Sequence, residues 1–166
     1  WSSIYNKTLK SLLNFAKKNK DIKIILKGKA GVHKREDFKS MILPNNCFFI
    51  EGGSGEGFLK NASVVIAFNS TIVFETIAAN RNLIIPNFDN QYIKKQKFLH
   101  KIGSKKYFIN SNQQLNDKLN SYLHTKYINR KLSLSDKKTI KYYLGNTDGN
   151  SAKRFREILT KILNKK

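Results

Sequence analysis

The chain has 166 residues, 40% of them hydrophobic, and its 32 Lys and Arg against 11 Asp and Glu give a net charge of +21. That length suits one domain burying roughly 70% of its unfolded surface, and the apolar content excludes a disordered chain. No apolar run approaches the ~18 residues of a membrane-spanning helix, and the single cysteine excludes an internal disulfide framework and a cysteine zinc cluster.

Leu9, Leu12, Leu13, Phe15 and Ala16 recur at helical spacing and predict an amphipathic helix over 8–18. A strand over 22–26 leads into a basic, glycine-containing loop over 27–32, and a short helix is expected over 35–41. The next strand, 47–50, carries Cys47 in an apolar run, which marks it as a buried structural thiol in a reducing, cytoplasmic setting. Glycine-rich 52–57 and a short helix over 58–61 follow.

Val64 to Phe68 then form an apolar run that stops at Asn69-Ser70-Thr71, before a helical stretch containing Glu75. A second run, Leu83-Ile84-Ile85, closes on Pro86. This is a β-α-β unit with a polar turn at the strand's C-terminal end, where open α/β sheets bind ligands. After a loop over 87–91 and a helix ending near Gly103, Tyr107-Phe108-Ile109 supply a last strand and 112–123 a capped helix. Two helices, 132–144 and 151–163, finish the chain around the turn-rich linker 145–150, whose Asp148 or Asn150 is placed to cap the last one. Strands alternating with helices predict one mostly parallel, Rossmann-like sheet of five strands with helices on both faces and two C-terminal helices. Residues 1–166 read as a single domain, and Trp1 in place of Met suggests a piece of a longer protein.

Asn69, Ser70 and Thr71 are candidates for a phosphate cradle of amides and hydroxyls, or simply for a helix cap. Glu75, one turn on, could accept a pair of sugar hydroxyls or complement the helix dipole. Gly53, Gly55 and Gly57 have the wrong spacing for a dinucleotide fingerprint and read as a flexible loop around Ser54. Lys27 and Lys29 end the first strand and could neutralise an anion there. His33 reads as a surface loop residue, and His100 and His124 have no partners at metal-ligand spacing, so no metal is assigned. No Ser-His-Asp set or catalytic carboxylate pair can be picked out.

Such a positive chain attracts polyanions: nucleic acid, anionic lipid or nucleotide-linked substrates. Only 5 of the cations are Arg, and abundant Asn and Ile beside Lys match the drift of an AT-rich genome. Arg is the residue suited to bidentate base readout, so specific nucleic-acid binding is not expected.

Three stretches resemble the C-terminal, donor-binding half of GT-B glycosyltransferases, in particular bacterial capsule transferases and CDP-glycerol glycerophosphotransferases. Ile24-Ile25-Leu26-Lys27 looks like the strand that ends in their Lys-Pro-His-Pro turn, although Gly28-Lys29-Ala30-Gly31 stands in place of that turn. Asn69-Ser70-Thr71 through Glu75 to Pro86 resembles their donor segment. Asp148-Gly149-Asn150-Ser151-Ala152-Lys153-Arg154 is similar to their late Asp-Gly-x-x-Ser-x-Arg element, with Ser151 and Ala152 exchanged. The resemblance implies a nucleotide-sugar or nucleotide-alcohol donor for surface-polysaccharide synthesis, bound by Asn69, Ser70, Thr71, Glu75, Lys27, Gly53, Ser54, Asp148 and Arg154. It implies no cofactor and no obligate metal, since basic groups and helix ends can stabilise the leaving phosphate. It also implies a glycan or lipid-linked acceptor, an N-terminal domain that supplies the catalytic base, and a place on the inner face of the cell membrane. The alternative reading is a non-catalytic basic α/β module that holds nucleic acid or anionic lipid.

Overall fold

In a computed structural model of the chain, residues 2–28, 42–68, 70–88, 99, 102, 105–123 and 131–164 are described below. Helix α1, Ser2–Lys18, buries Ile4, Thr8, Leu9, Phe15 and Ala16, one face at helical spacing. It starts six residues before the predicted helix because Ile4 extends the apolar face backwards. Lys17 and Lys18 suit the negative end of its dipole.

The amide of Asn46 holds the end of α1. Its Nδ2 donates to the carbonyls of Ala16 (3.1 Å), Asn19 (3.0 Å) and Ile22 (3.0 Å). These include carbonyls that the end of a helix leaves without internal partners. Asn46→Ala is therefore expected to cost about 1–3 kcal/mol, the penalty for leaving part-buried carbonyls unmet. A urea-unfolding midpoint unchanged from wild type would show that water replaces the amide without loss.

Strand β1, Ile24–Gly28, runs parallel to β2, Cys47–Glu51, with Ile25 opposite Phe48 and Gly28 opposite Glu51. The ladder starts later than the predicted 22–26 because the backbone of Ile22 is already used. Its N–H bonds Asn19 (3.3 Å) and its carbonyl accepts from Asn46. After the four-residue helix α2, Glu56–Leu59, come β3 (Val64–Ile66), α3 (Ile72–Ala78) and β4 (Asn82–Pro86). A 3₁₀ turn over Lys105–Tyr107 leads into β5, Phe108–Ile109, and then α4, Asn112–Leu123. The last helices are α5, Leu134–Leu144, and α6, Ser151–Leu163. The helix expected over 35–41 lies outside the described residues. So does the stretch before Gly103, apart from buried Leu99 and Ile102.

Strands β3, β4 and β5 form a parallel sheet in that order. Period-two alternation sends β4 to both faces. Leu83 and Ile85 enter one core with Val73, Phe74 and Ile77 of α3, Ile4 of α1 and Ile140 of α5. Ile84 enters the other with Phe15 of α1 and Leu115 and Leu119 of α4. Phe74 stacks on Tyr143 at 3.9 Å between ring centroids, fixing α5 over α3.

The mixed α/β class and the parallel pairing match the sequence reading; the continuous five-stranded sheet does not. Among the described residues the strands form two ladders, β1-β2 and β3-β4-β5. Apolar runs mark strands and faces, but lateral neighbours depend on where the connections carry each strand. Nor does the first ladder share the two-sided cover of the second: Ile25 is 36% and Phe48 44% exposed.

Candidate functional site

The C-terminal ends of β1, β2 and β3 carry most of the residues singled out in the sequence. Lys27 is paired in register with Ile50, one residue from the end of β2. Beyond Glu51, Gly52 and Gly53 adopt φ of 63° and 74°, left-handed values that reverse the chain and disfavour a side chain. Ser54 Oγ then accepts the Glu56 N–H at 3.1 Å, opening α2. A Cβ on Gly55 would stand 2.9 Å from Ile72 Cδ1, so the bare glycine lets this loop rest on the first residue of α3. The glycine-rich loop and the Ser70-Thr71 turn, distant readings in the sequence, are thereby neighbours.

The turn itself is exposed. Val73 N–H bonds the Ser70 carbonyl at 3.1 Å, while Phe74 and Glu75 N–H share the Thr71 carbonyl at 2.9 and 3.2 Å. The first turn of α3 thus closes on itself, and the amides of Ser70 and Thr71 have no acceptor among the described residues. Thr71 occupies the cap position, yet its hydroxyl makes no capping bond. Ser70 Oγ meets the Ile72 N–H only at 3.5 Å, too long for a firm bond. Among the described residues neither hydroxyl makes a firm capping bond, so both are open to a ligand. Asn69 lies outside the described residues.

Glu75 sits half-buried one turn on, between buried Phe74 and Thr76. Its carboxylate has no hydrogen bond or ion pair among the described residues. A half-buried carboxylate gains from a donor that arrives with a ligand. Lys27 is exposed and, among the described residues, donates only to its neighbour's carbonyl, Gly28, at 3.2 Å. The exposed Glu51 ends the adjacent strand and would oppose an anion brought too close to β2. Lys29 and His33 lie outside the described residues, as do His100 and His124.

Asp148 and Arg154 are committed to each other. The guanidinium donates to Asp148 Oδ2 at 2.8 Å and Oδ1 at 3.0 Å, and to Ser151 Oγ at 3.3 Å. This two-pronged bond, followed by the Asn150 N–H, holds the Asp148 carboxyl well below the usual carboxylate range. Neither Asp148 nor Asn150 caps α6 with its side chain as the sequence suggests. Asn150 is the cap residue, but its side chain makes no capping bond and donates through Nδ2 to the Asp148 carbonyl at 3.3 Å, while Asp148 folds back onto Arg154. No hydrogen bond or ion pair among the described residues joins this pair to Lys27, Ser70, Thr71 or Glu75.

One charged cluster escaped the sequence reading. Asp136 is buried, accepts from Lys106 Nζ at 2.8 Å and Tyr107 Oη at 2.9 Å, and bonds through its N–H to Ser133 Oγ at 3.1 Å. Burial pushes its pKa up, but hydrogen bonds from Lys106, Ser133 and Tyr107 and the charge of Lys106 outweigh that and hold it below its ordinary value. Its signal was present: Ser133-x-x-Asp136 is a variant of the capping-box spacing before an apolar stretch. The cluster fastens α5 to the turn before β5.

Burial also pushes the Cys47 thiol up, as fits an inert core cysteine. Among the described residues no group of three His, Cys, Asp or Glu could hold a metal, and no helix is long and apolar enough to cross a membrane. Compared with family models, curated proteins and solved structures, the chain matches none.

Proposed function

We propose that the chain is the donor-binding domain of a GT-B glycosyltransferase that serves bacterial surface-polysaccharide assembly. One observation carries the reading. The amides and hydroxyls of Ser70 and Thr71, which meet no firm partner among the described residues, stand at the C-terminal end of a parallel strand, beside the Gly53-Ser54-Gly55 loop and one turn from Glu75, whose carboxylate is likewise unpaired among those residues. The β-α-β segment that holds them is also the stretch with the most specific resemblance to those enzymes.

In this reading Ser70 and Thr71 bind the phosphates of a nucleotide-activated donor and stabilise charge as the sugar departs. Glu75 accepts hydroxyls of the donor, and Lys27, at the C-terminal end of β1 in the other ladder, is the cation that the resemblance assigns to the leaving nucleotide. The acceptor and the base that activates it belong to an N-terminal domain, so the isolated chain binds donor without turning it over.

Titration with UDP-, CMP- and CDP-linked sugars and alcohols tests this directly. One of these classes is expected to bind, and Ser70→Ala with Thr71→Ala is expected to abolish binding with an unchanged circular dichroism spectrum. Both side chains are exposed, so their truncation leaves the fold intact. Silence from every donor at millimolar concentration would refute the proposal. So would equal affinity for any polyanion with a steep salt slope, the mark of a basic module.

A further inference from the structure

Helix α6 is amphipathic, and among the described residues it covers nothing. None of its 13 residues is buried, and Phe155, Ile158, Leu159, Ile162 and Leu163 are each between 41% and 70% exposed. At 3.6 residues per turn these five fall on a stripe about 140° wide. Arg154 borders the stripe beside Ile158, and Arg156 borders it beside Leu163. Lys161 lies just beyond Arg154, and the helix's one acid, Glu157, faces almost directly away from the stripe. The helix leaves the domain through 145–150, a linker whose residues are all exposed and whose Gly145 and Gly149 have φ of 69° and 75°.

A helix of this length is marginal in water unless its apolar face is covered. Among the described residues that cover does not come from this chain. A second copy is a poor candidate, because each chain carries +21 and the cations flank the stripe that would have to meet. A surface that is apolar beneath and anionic at its rim complements both features.

We infer that α6 is an interfacial foot that lies in the surface of an anionic lipid bilayer. Phe155, Ile158, Leu159, Ile162 and Leu163 sink into the acyl boundary, and Arg156 and Lys161, one on either flank of the stripe, meet the phosphate headgroups through their long stems, while Arg154 stays paired with Asp148. This inference does not rest on the donor site, and its failure leaves that reading untouched.

The test uses the full chain with vesicles of phosphatidylcholine, with and without phosphatidylglycerol. Cosedimentation is expected with the anionic vesicles and not with phosphatidylcholine alone, weakening as salt is raised. Phe155→Ser with Ile162→Ser is expected to weaken it about tenfold or more, without moving the thermal midpoint. A Phe155→Trp reporter should shift its emission to the blue on anionic vesicles and be quenched by brominated acyl chains. Full binding by the double serine variant would assign the attraction to the basic surface at large and overturn the inference. It would equally fall if the chain ignored anionic vesicles, or if ultracentrifugation showed a dimer that the serine variant dissolves.

Discussion

Asp136→Ala is expected to destabilise the protein by about 1–3 kcal/mol, the penalty for leaving a buried hydrogen-bonding group unmet, because the cation left behind, Lys106, is 43% exposed and is met by water. The loss has two sources. Tyr107 Oη, on a buried ring, loses its acceptor, and Lys106 loses the charge that draws it toward the domain. Burial of the carboxylate opposes ionisation, so only the surrounding donors keep it charged. Asp136→Asn should be milder, because an amide oxygen can still accept from Tyr107.

The pH dependence has a defined sign. The folded pKa lies below the unfolded value, so the ion contributes stability above about pH 4 and loses it as pH falls through the folded value. Urea midpoints for wild type and Asp136→Ala should therefore converge in acid. A constant gap down to the acid limit would show that the carboxyl acts by shape and not by charge.

Ile84→Ala is the second large effect, about 2–5 kcal/mol. Ile84 is fully buried in the middle strand of three, packed with Phe15, Ile109 and Leu115, and its removal leaves a void between α1 and α4. Ile162→Ala removes the same atoms from α6, where the side chain is 60% exposed, and should fall within about 0.5 kcal/mol of wild type. If the two cost the same by urea unfolding, α6 is packed in solution against something after all.

Much of the fold was readable because burial writes periodicity into sequence. The strands around Ile84 and Cys47, helix 112–123 and helix 151–163 appear where the apolar spacing puts them. The division into two ladders was not readable, since β1 and β3 have the same apolar signature whether or not they bond each other. At the site, the polar turn after β3 was legible as a break in an apolar run. Its proximity to the glycine loop was not, because the steric room that Gly55 leaves for Ile72 exists only in three dimensions. The pairing of Asp148 with Arg154 was likewise hidden: six residues apart, they face each other only because the chain turns at Gly149 before the helix starts.

The solitary thiol of Cys47 gives this molecule a native reporter. It is buried in the ladder that has the thinner cover, and its protonated form resists alkylation. A thiol reagent would thus react only with molecules whose β1-β2 ladder has opened, following the open population or, at high reagent, the opening rate itself. The exposure of that ladder can be followed without engineering a single cysteine.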